Sequence, residues 1–456
     1  MRVVVIGAGP TGLGAAWYLQ QSGVEWTLLE CNSGPGGLAS SFQEAGFTWD
    51  IGGHILFSHY EAFDNALAGI MSKEEWLVHQ REAYIRIHDS WVPYPFQYNI
   101  RHLPPVDQMR CLQGVQEAIS AEAKPPPVNF REWIDRTMGK GLSDLFMLPY
   151  NRKVWAGDPE GMATQWVGER VAVPDINRMR KHLDAGTDDV GWGPNNAFRF
   201  PATGGTGAIW QRLVTHLPPT RIHYDCPVTA LRPTEKVVLT RDGTRYPFDA
   251  VVSTMPLDSL TAMTGLDNLA LPASELVHTS TWVAGIGVKG QAPAALQGKC
   301  WMYFPEENYP FYRVTVFSHY SPRNVPLGCY SLMAEVSFRP GDNRPSDAEL
   351  MASCIDGLRR CGLMNDDVMP VQTWIHCADY GYPVPSLGRD SILERVLPEL
   401  DQLGIYSRGR FGAWKYEVGN MDHAFMQGVE VARRILTGAE EETVWYPDKV
   451  NGRVKG

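Results

Sequence analysis

The sequence of 456 residues has no uninterrupted run of about 18 apolar residues, the length a helix needs to cross a bilayer, so no membrane span is expected. It passes from Met1-Arg2 straight into the strand-like Val3-Val4-Val5-Ile6, and no secretory leader is expected. A Cys-x-x-Cys pair is also missing. The eight cysteines stand scattered at 31, 111, 226, 300, 329, 354, 361 and 377, which argues against a disulfide frame or a zinc site. They predict reduced, mostly buried thiols in a cytoplasmic protein, with no metal. Basic charge is short: 41 Lys and Arg face 51 Asp and Glu, for a net charge of −10. Nucleic acid is therefore not an expected partner, and an anionic ligand would need a few placed arginines to hold it against the overall field. Internal repeats and low-complexity tracts are absent. What remains is ordinary for a globular chain, 44% hydrophobic and 20% charged, and long enough for two or three packed units. The 15 tryptophans and 18 tyrosines stand out. Most are expected in the core, the rest around a flat, polar ligand.

Residues 1–30 read as a βαβ start: the Val3–Ile6 strand, a helix over Leu13–Gln21 and a strand over Trp26–Leu29. The stretch Trp91-Val-Pro-Tyr-Pro-Phe-Gln97 is too broken by proline for a regular helix. From about 105 to 185 the pattern is helical, over Pro105–Ala123, Phe130–Met138 and Leu142–Trp155, with a kink at Pro149. Residues 191–196 read as a loop, and Asp242-Gly243 as the turn of a hairpin between Lys236–Thr240 and Tyr246–Phe248. Ala250–Thr254 reads as a buried strand and 280–340 as an antiparallel sheet. Ile405–Phe411 reads as extended, and Asp422–Leu436 as an amphipathic helix. Strands that complete the first sheet must come from late in the chain, so the domains are interleaved.

Gly7-Ala8-Gly9-Pro10-Thr11-Gly12 is a G-x-G-x-x-G that follows an apolar strand and opens a helix. Glu30 ends the next strand 23 residues after Gly7, where a carboxylate can accept from a ribose hydroxyl. The glycines allow a tight turn and let a pyrophosphate approach backbone N–H groups at the positive end of the helix. Asn420 to Gly428, a polar loop leading into a helix, would aim further N–H groups at a ligand in the same way.

Gly36-Gly37-Leu38-Ala39-Ser40 resembles the second glycine pair of flavin oxidoreductases of the glutathione-reductase-like superfamily. No second G-x-G-x-x-G follows a strand, and Gly204-Gly205-Thr206-Gly207 has no strand-like run before it. FAD rather than a built-in NAD(P) domain is implied. The likeness then narrows. Asp50-Ile-Gly-Gly-His54-Ile-Leu-Phe-Ser-His-Tyr60, Trp91–Gln97, Pro149-Tyr-Asn-Arg-Lys-Val-Trp155, Trp166-Val-Gly-Glu-Arg170, Gly193-Pro-Asn195, Cys300-Trp-Met-Tyr303, Pro310-Phe-Tyr-Arg313 and Arg408-Gly-Arg-Phe-Gly-Ala-Trp-Lys-Tyr-Glu-Val-Gly-Asn420 resemble UDP-galactopyranose mutases of the eukaryotic type. The resemblance runs from Val3 to about Pro447. The chain is tightest between Tyr320 and Ser331, where an insertion common in that branch is absent, and its oligomeric state stays open.

That resemblance implies interconversion of UDP-galactopyranose and UDP-galactofuranose through a covalent adduct at N5 of reduced FAD, with NADPH as the reductant. Carried over residue by residue, it gives catalytic roles to Gly53, His54, Arg170 and Arg313, the arginines steadying the departing diphosphate. FAD contacts fall on Gly7, Gly9, Thr11, Gly12, Glu30, Gly37, Leu38, Ser40, Gly52, Gly53, Val228, Arg410, Asn420, Met421 and Ala424. Tyr94, Phe96 and Gln97 match a uracil slot, while Asn151, Trp155, Asn195, Trp301, Tyr303, Tyr320, Tyr382, Tyr416 and Asn420 match phosphate and sugar contacts. Arg81 is a candidate contact for the NADPH 2′-phosphate, and Gly168, Gly191 and Gly193 are hinge candidates in flaps around Arg170 and Asn195. Read without the family, His54 is as well explained by a core histidine, and Arg170 by a surface pair with Glu169.

The implied fold is α/β, a Rossmann-like FAD-binding domain interleaved with a helical domain and an antiparallel-sheet substrate domain. The expected division is 1–100, 191–255 and 391–440 for the FAD-binding parts. It leaves 101–190 for the helical domain with a flap, 256–390 for the substrate domain and 441–456 for a tail. Other readings are a mutase for another UDP-sugar such as UDP-arabinopyranose, an amine-oxidase-like oxidoreductase, and a Rab-escort-like binding protein without FAD. The intact Gly7, Gly9, Gly12 and Glu30 argue against the last, and two arginines in a flavin cleft would repel an amine.

Overall fold

The computed structural model describes residues 1–122, 125–193 and 195–452, with Glu169 by its backbone alone. The expected helix end at Ala123, Pro194 of the flap loop and the last four residues of the tail lie outside the described residues.

The apolar run Arg2–Ile6 lies at the centre of a five-stranded parallel sheet in the order Ile405–Ser407, Ala250–Ser253, Arg2–Ile6, Glu25–Leu29, Ile222–His223. Val3, Val4, Val5 and Ile6 are all buried, as a strand covered on both faces requires. Three widely separated parts of the chain thus build one sheet, and the first helix, Pro10–Gln21, packs on the closing helix, Met421–Thr437. Glycines permit that approach. A Cβ on Gly14 would lie 2.2 Å from the Phe425 carbonyl oxygen, and one on Gly428 would lie 1.9 Å from that of Thr11.

The larger sheet has seven strands in the order Pro370–Pro383, His278–Lys289, Cys329–Phe338, Arg313–Thr315, Trp301–Tyr303, Ala83–Ile87, Ser90–Pro93. It is antiparallel except where Trp301–Tyr303 runs parallel to Ala83–Ile87. The expectation of an antiparallel sheet over 280–340 thus holds with a parallel seam, and the sheet takes in 83–93 as well. The hairpin at Asp242-Gly243 is present, between Val237–Thr240 and Arg245–Pro247.

Two local expectations need correction. The helix over Leu142–Trp155 is not one helix kinked at Pro149: a π-helical turn, Ser143–Met147, precedes Leu148–Trp155, and Pro149 sits in the first turn of the latter, where its missing N–H costs nothing. A strand, Ala197–Pro201, does precede Gly204-Gly205-Thr206-Gly207, but it pairs antiparallel with Trp76–Gln80. The glycine loop faces Asp50, whose carboxylate accepts from Ser41 Oγ (2.5 Å) and from the Thr206 N–H. The segment closes a buried turn rather than a second nucleotide site.

Candidate active site

The cofactor end is made of backbone. Gly7 turns with φ +101°, and a Cβ on Gly12 would sit 1.9 Å from the Gly7 carbonyl oxygen, so strand and helix meet only because that position is glycine. The first helix opens at Gly9 with no side-chain cap, and the closing helix opens at Asn420 likewise, so the first N–H groups of both remain available to a ligand. Glu30, 4% exposed, stands at the end of its strand as expected. Its oxygens accept from the N–H of Ala8 (2.6 Å) and from the N–H and Nδ2 of Asn32 (2.8 Å each). Gly37 approaches Gly9, a Cβ there falling 3.2 Å from the Gly9 Cα, and Thr11 packs under Gly409. Leu38 and Val228 meet in one apolar cluster, Ala424 is buried at the start of the closing helix beside Met421, and Ser40 Oγ donates to Pro35. Two uncapped helix starts, a close-approaching glycine turn and a terminal acid fit a dinucleotide.

The substrate end is made of side chains. Gly52, Gly53 and His54 form a loop beneath which Glu335 lies buried, accepting from the Gly53 N–H at 3.2 Å. The same carboxylate takes a two-pronged bond from Arg313 (Nε 2.7 Å, Nη2 2.6 Å) and a third from the Tyr312 hydroxyl at 2.8 Å. Burial alone would push the Glu335 carboxyl up, but Arg313 outweighs it and holds the group below its usual range. His54 Nδ1 is buried without a partner, and burial, with the nearby Arg410 and Arg313 charges, lowers its pKa to about 4. The imidazole is neutral at pH 7.

Arg170 and Arg410 differ from Arg313. Arg170 donates to the Glu417 carbonyl (2.8 Å) and lies over the Tyr416 ring at 4.7 Å, with its Nε unpartnered. Arg410 reaches the Gly419 carbonyl (3.0 Å) and lies over Tyr382 (4.9 Å) and Tyr416 (5.8 Å). Among the described residues neither has a carboxylate partner, and burial together with the like charge of Arg170 draws the Arg410 guanidinium below its usual range. The expected surface pair of Arg170 with Glu169 involves a side chain outside the described atoms.

Tyr94, Tyr303, Tyr382 and Tyr416 line this region half-buried, with Tyr94 and Tyr303 ring centroids 5.7 Å apart and Tyr382 and Tyr416 5.8 Å apart. Asn151 Oδ1 accepts from Trp155 Nε1 one helical turn on (3.1 Å), and the Trp155 ring meets both Tyr382 and Tyr416. Other expected contacts point into the core. Phe96 is 1% exposed against Phe146, the Gln97 amide donates to the Ala172 carbonyl, and Trp301 and Tyr320 lie in a buried aromatic cluster rimmed by Tyr94 and Tyr303. Arg81, read as a phosphate contact, is 4% exposed and turned onto the loop that carries Asn195.

Sequence reasoning missed Glu335, whose signal was a lone acid in the apolar strand Cys329–Phe338. It also missed Tyr150, beside Tyr303, and Lys153, whose Nζ lies 2.6–3.0 Å from four carbonyls, those of Phe304, Glu306, Tyr309 and Phe311. Lys153 thereby ties the Asn151 helix to the turn that delivers Tyr312 and Arg313.

The flavin containing amine oxidoreductase model matches residues 10–436, and the chain belongs to that family. Within it, a crystal structure of reduced UDP-galactopyranose mutase superposes with a TM-score of 0.96 at 46% identity, covering 99% of this chain and 97% of that one. The chain is a UDP-galactopyranose mutase family member, and so an isomerase on a flavoprotein fold. A putrescine oxidase with bound putrescine shares the fold alone, at a TM-score of 0.62 and 15% identity over 96% of this chain and 99% of that one. A zeta-carotene-forming phytoene desaturase of Myxococcus xanthus is 46% identical over 55 residues, 12% of this chain and 11% of that protein. Among the described residues no helix is long and apolar enough to cross a membrane.

Proposed function

We propose that this isomerase interconverts UDP-galactopyranose and UDP-galactofuranose, with FAD held at the glycine turn and the two helix starts. Bound there in its reduced form, FAD would supply nucleophilic chemistry to the sugar, with NADPH as the source of its electrons. The observation that carries the reading is the pair Arg170 and Arg410, two cations over the Tyr416 ring at 4.7 and 5.8 Å, neither with a carboxylate partner among the described residues. Such a pair lacks anions: a diphosphate supplies one to Arg170, and an electron-rich ring supplies the other to Arg410.

The chain's own part is binding, charge and exclusion of water. Arg170 and Arg313 take the diphosphate as negative charge grows on it, and Glu335 holds Arg313 rigid while absorbing part of its charge. Arg410 offsets charge on the electron-rich ring. Neutral His54 faces the same region without bringing a further cation. Tyr94 and Tyr303 present flat walls for a base, and Tyr382, Tyr416, Asn151 and Asn420 supply polar groups to phosphate and sugar. Flap loops at Gly168 and at Gly191 and Gly193 close over the nucleotide and keep water from the glycosyl centre. The eight free cysteines support a cytoplasmic setting, and the domain division at 100, 190, 255, 390 and 440 is assigned on the same reading.

Incubation of the dithionite-reduced holoenzyme with UDP-galactofuranose, followed by chromatography, tests this directly. UDP-galactopyranose is the expected product. No conversion of that nucleotide, with turnover of UDP-arabinofuranose instead, would move the assignment to another sugar; oxidation of an amine would overturn it.

A further inference from the structure

Arg81 follows the strand Trp76–Gln80 and is almost wholly buried, yet among the described residues it has no carboxylate partner. Its guanidinium reaches three acceptors on one loop: Asn195 Oδ1 through Nη1 (2.6 Å), and the carbonyls of Trp192 (2.5 Å) and Val190 (3.0 Å) through Nη2. Its backbone N–H donates to the carbonyl of Asn196 at 2.8 Å. The face of the guanidinium lies over the Tyr94 ring at 4.9 Å, and Trp192 meets the same ring edge-on at 6.2 Å. The loop is anchored just upstream, where the Asn99 side chain exchanges two hydrogen bonds with the backbone of Asp189. Beyond that anchor, among the described residues, no other side chain donates to Val190 or Trp192.

We propose that Arg81 is a positioning residue that latches Val190, Trp192 and Asn195 beside Tyr94 and fixes which face of the Asn195 amide meets the nucleotide; this rests on the reading of the cleft given above. Arginine only donates. With Asn195 Oδ1 turned onto Arg81, the Nδ2 hydrogens are left without a partner among the described residues and stay free for a ligand. Asn195 therefore presents a donor, and the ligand atom opposite it is an acceptor, a phosphate or carbonyl oxygen. The planar fork matters, because one side chain satisfies acceptors on two sides of Gly193, and a lysine ammonium cannot copy that geometry.

The test uses the holoenzyme and UDP as probe. Arg81→Ala is expected to weaken UDP binding about tenfold, the scale of a lost charged hydrogen bond, and to speed chymotryptic cleavage after Trp192. The KM for the UDP-sugar should rise more than kcat falls, flavin absorbance should stay unchanged, and added guanidinium should restore binding in part. Arg81→Lys should recover less than guanidinium-rescued Arg81→Ala. Asn195→Asp separates latching from polarity: Arg81 would hold a carboxylate at least as well, so the loop should resist protease as wild type does, while UDP binding falls because a second acceptor now faces the ligand. Wild-type UDP affinity and cleavage rate in Arg81→Ala, or wild-type UDP affinity in Asn195→Asp, would overturn the proposal. Absence of UDP binding by the wild type would overturn the reading of the cleft, and the cleavage comparison would still decide whether Arg81 holds the loop.

Discussion

The cofactor cradle and the arginine–tyrosine cleft adjoin one another but are built from opposite materials. The cradle relies on the absence of side chains: Gly12, Gly14 and Gly428 let helix, strand and helix approach to distances no Cβ would tolerate, and backbone N–H groups supply the binding capacity. The cleft relies on long side chains, with Arg170, Arg313 and Arg410 held by carbonyls, rings and one buried acid. A rigid, permanently bound dinucleotide suits fixed backbone dipoles. A substrate that enters, reacts and leaves suits charged side chains.

That contrast can be broken at either end. The largest effect is expected in the cradle: Gly12→Val, whose Cβ would fall on the Gly7 carbonyl, should give protein without visible flavin absorbance and without activity. Full flavin content in that variant would show that the turn tolerates a side chain. Next, Arg170→Ala should lower kcat by ~10²–10³, as loss of a donor to developing charge does, while flavin content stays whole. Unchanged kinetics would take Arg170 out of the site.

Glu335→Ala probes the buried counter-ion of Arg313. It leaves Arg313 unpaired and the Gly53 N–H without its acceptor, and a loss of about 3–5 kcal/mol in denaturant unfolding is expected, the scale for breaking a buried ion pair. A change under about 1 kcal/mol, within the range of exposed pairs, would mean that solvent already screens it.

The smallest effect concerns His54. Its pKa is about 4 folded against 6.5 unfolded, so the unfolded chain binds the extra proton first as pH falls. Stability should therefore drop between pH 6.5 and 4 and level off below. His54→Gln should lose less across that window in urea midpoints, and identical pH curves would place the ring in water.

The same contrast explains how much was legible beforehand. The glycine turn, Glu30 and the closing helix stood in the sequence because each is a local pattern with fixed spacing. The arginines and tyrosines were legible only through likeness to a family, since nothing local distinguishes Arg170 from a surface residue. Glu335 and Lys153 were not legible. Glu335 meets Gly53 across 282 positions, and Lys153 meets its carbonyls across 151 to 158, so their roles exist only once the large sheet has formed. Phe96, Gln97 and Tyr320, matched as ligand contacts through the same likeness, are buried, Tyr320 in the aromatic cluster rimmed by Tyr94 and Tyr303, and nothing local in the sequence tells a wall residue from a contact residue.

The central claim is that the flavin takes part in the isomerisation without being consumed, and one comparison tests it. The holoenzyme is assayed with UDP-galactofuranose in matched anaerobic and aerated samples, the first reduced by NADPH, the second oxidised. Many turnovers per flavin in the reduced sample, with no matching consumption of NADPH, and none in the oxidised sample are predicted. Equal turnover in the two would contradict the account.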